Sequence, residues 1–169
     1  ADECRNYTHE QQEVLTLAHT LGSEHGLGLT LAAIVQQESF VGSYVVRINP
    51  NDNSTHFDEE GRKEVIRGSY GITHILLSTA MWLENEDNLW KAKAHIAQDL
   101  ITDDHYAVTM AIRKLKSVQY KGQTWRELVA KYNGAGRSAR EYADKVAIHV
   151  DNFNQCGTFK SLTASPRSN

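Results

Sequence analysis

Apolar residues recur every three or four positions along most of the chain, which is the spacing of one face of an α-helix. Three segments also open with Ser or Thr followed three residues later by Gln or Glu, a capping box that favours a helix start. These pairs are Thr8 with Gln11, Thr124 with Glu127, and Ser138 with Glu141. The pattern predicts a mainly α-helical protein.

Shorter signals predict the remaining elements. Further helices are expected over 29–39, from Ser78 to Trp82, over 88–100, and from Thr102 or Asp103 onwards. The segment 45–66 differs, because it carries Asn-Pro, Asn-Asp-Asn and Glu-Gly turn signals between two short apolar runs. It predicts a small β-hairpin or an ordered loop.

Length and composition fit one folded unit. The chain has 169 residues, 40% of them hydrophobic and 23% charged, which is ordinary for a globular domain. We interpret 1–169 as a single domain with a core over about 8–156 and a polar, flexible tail at 161–169. The longest apolar run, 31–35, is far too short to span a membrane. A net charge of −3 also disfavours nucleic acid as a partner.

The two cysteines stand at opposite ends of the chain. Cys4 and Cys156 are too far apart for a metal or redox motif, so we expect a disulfide between them, with two free thiols as the alternative. The first residues, Ala-Asp-Glu, resemble the start of a chain whose signal peptide has been removed. Both features favour a secreted or periplasmic protein.

Several common chemistries lack their motifs. The eight histidines include no His-Glu-x-x-His, so neither a metal site nor a cofactor is expected. A loose dinucleotide fingerprint at 134–139 follows a predicted helix instead of the strand it requires. The three tryptophans stand at helical positions and are expected in the core.

Glu38 is the most informative acidic residue. Val35, Ile34 and Leu31 precede it by three, four and seven positions, so helical spacing places its carboxyl on an apolar stripe. Burial disfavours the charged form of a carboxyl and suits it to act as a general acid. The alternative is a frayed last turn in which Glu38 reaches water.

Three blocks of sequence carry a resemblance to a known family. They are Glu38-Ser39-Phe40, the segment 71–80 (Gly-Ile-Thr-His-Ile-Leu-Leu-Ser-Thr-Ala), and the segment 132–136 (Tyr-Asn-Gly-Ala-Gly) with Tyr142 beyond it. In this order the blocks resemble the catalytic domain of soluble, goose-lysozyme-like lytic transglycosylases. The resemblance implies a mainly α, lysozyme-like fold.

The resemblance also implies a reaction and a set of roles. The substrate is peptidoglycan, cleaved between N-acetylmuramic acid and N-acetylglucosamine with formation of a 1,6-anhydro ring. Glu38 acts first as the acid and then as the base, Tyr132 orients it by a hydrogen bond, and Asn133 holds the turn. The residues implied in sugar binding are Ser39, Gly71, Thr73, His74 and Tyr142. The family's Gln is replaced here by His74, its Met by Thr73 and its Pro by Leu77.

Two other functions remain open. A goose-type lysozyme would need a second carboxylate to activate water, and the 52–60 loop offers four acids. These are Asp52, Asp58, Glu59 and Glu60. A non-catalytic wall-binding module of a phage particle or secretion apparatus is the third possibility, with such an assembly as its partner and a virion as its location. In each case we expect a monomeric protein that contacts peptidoglycan.

Overall fold

The structure is a computed structural model that describes residues 4–48, 55–57, 63–65 and 68–160. For 48, 55–57 and 63–65 the description is limited to the backbone. The described chain is mainly helical and includes a small three-stranded antiparallel sheet. The predicted fold class is therefore confirmed at this level. The tail at 161–169 lies outside the described residues.

Helix α1 (His9–Ser23) begins as the capping box predicts. The Thr8 hydroxyl accepts the backbone N–H of Gln11 at 3.1 Å, and the Gln11 side chain accepts the backbone N–H of Thr8 at 3.0 Å. These bonds satisfy donors that a helix start otherwise leaves unpaired. The chain then enters helix α2 (Gly28–Ser39), which packs against α1.

Helix α2 runs through the centre of the core. Its residues 30–36 are all buried, so the helix is enclosed on every side instead of exposing one face to water. Helices that are apolar all round are expected to be central. Glu38 lies in the last turn of this helix, so its backbone lies near the middle of the protein.

An antiparallel strand pair lies within 45–66, as predicted, but it is not formed by the two runs that the sequence indicated. β1 (Val46–Ile48) pairs with β4 (Gly68–Tyr70), and β4 pairs in turn with β5 (Ile75–Leu76). β2 (Thr55–Phe57) and β3 (Lys63–Val65) form a separate antiparallel pair. Strands were expected near 45–46 and 64–66, but they do not pair with each other. Which strands pair depends on the length of the connections between them and on the register, and turn signals in the sequence do not determine these.

The next helical segment is irregular. Helix α3 (Leu77–Leu83) begins with Leu76 at its N-cap and has no side-chain cap, so the predicted cap at Ser78 is wrong by two residues. A continuous helical stretch follows, in which α4 (Leu89–Lys91) passes through a π-helical segment (Ala92–Ala97) into α5 (Gln98–Thr102).

Three longer helices complete the fold. α6 (Asp104–Ser117) is capped by the Asp103 side chain, and α7 (Trp125–Asn133) by the Thr124 hydroxyl. α8 (Gly136–Cys156) begins with Ala135 at its N-cap and has no side-chain cap, so the predicted capping box at Ser138 is wrong. The helix cap lies three residues earlier, at Ala135, and Gly136 follows it with a φ of 79° where the chain reverses after α7. α8 packs on α7 and α2.

The disulfide forms as predicted, but two of the three tryptophans lie outside the core. Cys4 and Cys156 are bonded, with their sulfurs 2.11 Å apart, as predicted. Trp125 is partly buried and its indole N–H donates to the Thr30 hydroxyl at 2.9 Å. Trp82 and Trp90 are exposed, so their expected core positions are wrong. None of the described helices combines the length and the apolar composition that a membrane span requires.

Candidate active site

Glu38 is held in a nearly buried position at the end of α2. Its side chain is 10% exposed, so the last turn is not frayed and little of the side chain is open to water. The chain reverses directly after it, through Phe40 with φ 52° and Val41 with φ 55°. A β-branched residue such as Val41 rarely adopts this left-handed conformation, and such strain is commonly found at functional sites.

Ser39 supports this turn from the inside. Its hydroxyl donates to the Val35 carbonyl at 3.1 Å and accepts the backbone N–H of Gly42 at 2.9 Å. The side chain is completely buried. Ser39 thus holds the backbone that carries Glu38, and it presents no polar atom to a groove in this conformation.

A second tight loop, residues 71–74, brings His74 to Glu38. Gly71 has a φ of 83°, and a Cβ atom at this position would lie 2.3 Å from the Leu100 carbonyl oxygen, so only glycine fits. His74 itself has a φ of 47°. The Thr73 hydroxyl, fully buried, anchors the loop by donating to the Ala107 carbonyl at 2.9 Å.

The His74 ring lies between Glu38 and the backbone of Tyr44. Its Nδ1 atom is 3.4 Å from Oε2 of Glu38, and its Nε2 atom is within hydrogen-bond distance of the Tyr44 carbonyl oxygen. The side chain is 5% exposed. Nδ1 has no hydrogen-bond partner.

Tyr132 makes its hydrogen bond to the 71–74 loop and not to the Glu38 carboxyl. Its hydroxyl donates to the Thr73 carbonyl at 2.9 Å, where the family resemblance implied Glu38 as its partner. Burial, and secondarily the negative charge of Glu38, raise the pKa of Tyr132 well above that of free tyrosine. Tyr132 therefore stays neutral and joins α7 to the loop that carries His74.

Tyr142 occupies the position beside the carboxyl. Its ring stacks on that of Tyr132 with the centroids 6.5 Å apart, and its hydroxyl is buried without a well-aligned hydrogen bond. Burial and the charge of Glu38 raise the pKa of Tyr142 well above that of free tyrosine. Among the described residues, the Tyr142 hydroxyl and His74 Nδ1 are the two buried side-chain atoms that lack a hydrogen bond, and both lie beside Glu38.

Lys114 is a member of the site that the motifs did not reveal. Its ammonium lies 4.2 Å from the centre of the Tyr132 ring, a cation–π contact. Burial lowers the pKa of Lys114 to about 8, and the negative charge of Glu38 opposes this effect. A signal was present, because Lys114 follows Met110 and Ala111 by four and three positions and so borders the apolar stripe of α6.

The other predicted residues lie elsewhere. Asn133 is exposed at the end of α7. The four acids proposed as a second carboxylate, Asp52, Asp58, Glu59 and Glu60, fall outside the described residues. Within the described ranges, no cluster of three His, Cys, Asp or Glu side chains could hold a metal ion.

The arrangement is suited to moving a proton to and from one carboxyl. Glu38 can donate when protonated, and once ionised it has a tyrosine hydroxyl and an ammonium group as neighbours. Groups already aimed at the place where charge develops stabilise that charge without reorganising. Among the described residues, Glu38 is the one carboxylate whose charge affects the pKa values of three neighbours, Lys114, Tyr132 and Tyr142.

Comparison of the chain with models of known protein families, with curated proteins and with solved structures finds no match in any of the three.

Proposed function

We propose that this protein is a peptidoglycan lytic transglycosylase with Glu38 as its single acid and base. One observation carries the proposal. A nearly buried carboxyl lies beside two buried polar atoms whose neighbour is that carboxyl, Nδ1 of His74 at 3.4 Å and the Tyr142 hydroxyl. Buried polar groups are costly, so their convergence on one carboxyl is expected where a reaction uses it. The three sequence blocks that resemble lytic transglycosylases contain this carboxyl and both partners.

The proposed reaction proceeds in two steps. Glu38 protonates the glycosidic oxygen, the bond to the N-acetylglucosamine unit breaks, and the acetamido group of the muramic acid stabilises the positive centre. Glu38, now ionised, takes the proton of the muramyl 6-hydroxyl while that oxygen closes the 1,6-anhydro ring. The proton returns to Glu38, so one carboxyl serves both steps. This differs from glycosidases that place two carboxylates on opposite sides of the bond.

The neighbouring residues assist the ionised form of Glu38. The Tyr142 hydroxyl can donate a hydrogen bond to the carboxylate, and the Lys114 ammonium contributes a positive charge beside it, where charges interact strongly because water is largely excluded. Tyr132 and Thr73 are positioning residues that hold the loop of His74. Exposed Phe40 and Tyr44 follow Glu38 in the chain and offer flat apolar rings to a sugar.

The lysozyme-like fold and the location belong to the same proposal. The disulfide between Cys4 and Cys156 is compatible with an exported protein, since disulfides persist in oxidising compartments. Peptidoglycan lies in such a compartment. The protein would then act on the wall as a monomer or beside a phage or secretion assembly.

The products of wall digestion test the proposal directly. Purified sacculi are digested with the protein, and the released muropeptides are identified by mass spectrometry. We expect 1,6-anhydromuramic ends, which are lighter by one water than hydrolysed ends. Glu38→Gln keeps the shape of the side chain and removes its proton, so the release rate should fall by about a hundredfold or more.

A matched control is Glu24→Gln, which changes an exposed carboxyl at the end of α1 and should leave the rate unchanged. Activity of Glu38→Gln within tenfold of the parent protein contradicts the assignment. Reducing ends instead of anhydro ends would indicate a lysozyme, and amide variants of Asp52, Asp58, Glu59 and Glu60 would then identify its second carboxylate. Binding to sacculi without any cleavage would indicate a wall-binding module.

A further inference from the structure

The role of one ring nitrogen of His74 is fixed by its partner. Nε2 lies within hydrogen-bond distance of the Tyr44 carbonyl oxygen, which can only accept. Nε2 therefore carries a hydrogen and donates it. In the neutral ring the other nitrogen, Nδ1, then holds a lone pair and can only accept.

Nδ1 faces the Glu38 carboxyl in a place with little water. The two atoms are 3.4 Å apart, and neither side chain is more than 10% exposed. If Glu38 were ionised and His74 neutral, two lone pairs would face each other without a hydrogen between them, which is costly in a buried site. One proton added to the pair removes this repulsion, and on the Glu38 carboxyl it does so without placing two charges in a buried site. A second proton would make the His74 ring cationic.

We propose that Glu38 and His74 share a single proton, and that His74 is a positioning residue that holds the protonated Glu38 carboxyl by accepting its hydrogen bond at Nδ1. The catalytic consequence rests on the proposed function. The shared proton itself can be measured without any substrate.

The proton balance of the reaction fits this arrangement. At rest the hydrogen lies on Glu38 and points to Nδ1, so the carboxyl is held in one orientation. When it passes to the glycosidic oxygen, Nδ1 loses its donor and the Tyr142 hydroxyl can pair with the carboxylate. The proton from the muramyl 6-hydroxyl then restores the starting pair. His74 exchanges no proton with the substrate.

Other titratable groups that face Glu38 come from three helices. They are Lys114 on α6, Tyr132 on α7 and Tyr142 on α8. Burial raises the pKa of both tyrosines, so they stay neutral. Lys114 keeps its charge below about pH 8, because its pKa is about 8.

Nitrogen-15 NMR of the histidine rings tests the shared proton. In the parent protein we expect the neutral His74 ring to carry its hydrogen on Nε2. Its Nδ1 signal should respond to pH in two steps, first when the pair gains a hydrogen bond and then when the ring becomes charged. In Glu38→Gln the side chain cannot be protonated, so His74 should titrate in one step.

His149 provides the matched control within the same spectra. Its Nε2 atom lies 2.9 Å from Oε1 of Gln37, the neighbour of Glu38 on α2, and its titration should be identical in both proteins. A hydrogen on Nδ1 of the neutral His74 ring overturns the proposal. An identical His74 titration in the parent and in Glu38→Gln also overturns it, whether or not the protein cleaves peptidoglycan.

The pH profile of wall cleavage tests the positioning role. We expect a bell shape in the parent protein, with the acid side caused by the second proton on the pair. Because Gln takes no proton, the cleavage rate of His74→Gln should no longer fall on the acid side of the profile. The variant should melt at a temperature close to that of the parent. His149→Gln should keep both the acid side and the basic side of the pH profile. An acid side that is unchanged in folded His74→Gln contradicts the role of His74.

Discussion

At the residue scale, the site is built from groups whose protonation depends on burial. Glu38, His74, Lys114, Tyr132 and Tyr142 come from four helices and one loop, and each is largely removed from water. In such surroundings a charge is costly unless another charge or a hydrogen bond compensates it. For Lys114 this compensation is incomplete, since burial lowers its pKa despite the opposing charge of Glu38.

Replacing Lys114 by Met is expected to stabilise the protein at pH 7. Burial lowers the pKa of Lys114 to about 8, so between about pH 8 and the pKa of free lysine the unfolded chain binds more protons than the folded one. The free energy of unfolding of the parent therefore rises with pH through this interval. We expect Lys114→Met to gain up to about 3 kcal/mol at pH 7. The gain should shrink towards zero at pH 10.

Chemical unfolding at both pH values measures this effect. Lys116→Met, an exposed position on the same helix, is the control and should change the free energy of unfolding little. A gain that is equal at both pH values would show that added apolar area, and not the lost charge, is responsible. The same Lys114 variant should cleave peptidoglycan more slowly, because the ionised Glu38 loses its positive neighbour.

At the element scale, two tight turns bring the ends of separate elements together. Glu38 lies at the end of α2, directly before the first turn, and the loop between β4 and β5 carries His74. The second loop is bound to α6 through Thr73 and to α7 through Tyr132. Gly71 lies so close to the backbone of α5 that a side chain has no room. The distance between His74 and Glu38 therefore depends on glycine at position 71.

Gly71→Ala is expected to be much more destabilising than Gly122→Ala. Both glycines have nearly the same backbone conformation, with φ of 83° and 84°. The methyl group at Gly122 would meet nothing within 4 Å, so that variant pays only the strain of a positive φ, about 1 kcal/mol. At Gly71 the methyl would also collide with the Leu100 carbonyl, which adds about 1–3 kcal/mol.

Thermal or chemical unfolding of the two variants measures the difference. Gly71→Ala should also slow wall cleavage, since His74 moves with the loop. Equal stability of the two variants would contradict the close packing of this loop on α5.

At the scale of the whole molecule, the disulfide joins the start of the described chain to its last long helix. The bonded cysteines are 152 positions apart in sequence. Closing so long a loop restricts the unfolded chain strongly, and the chain-entropy relation gives about 5 kcal/mol. Arg5, next to Cys4, lies over the Phe40 ring at 4.9 Å from its centre, so the tethered N-terminal segment also reaches the turn after Glu38.

Thiol titration and unfolding test the disulfide. The unfolded, unreduced protein should contain no free thiol. Replacing both cysteines by serine should lower the free energy of unfolding by up to about 5 kcal/mol. The reduced parent protein should match this variant. Two reactive thiols in the freshly purified, unreduced protein would contradict the disulfide and weaken the case for export.

The amino-acid sequence by itself determined the features that depend on local spacing. Helical periodicity and the Thr8 capping box follow from residues within seven positions of one another, whereas the same spacing left Glu38 open between burial and a frayed last turn. The disulfide followed from there being only two cysteines. Tertiary structure alone decided the pairing of β1 with β4, the Tyr132 bond to Thr73 and the approach of Lys114 and His74 to Glu38. These contacts join residues that lie far apart in sequence, so the packing of the helices fixes them and no local pattern contains them.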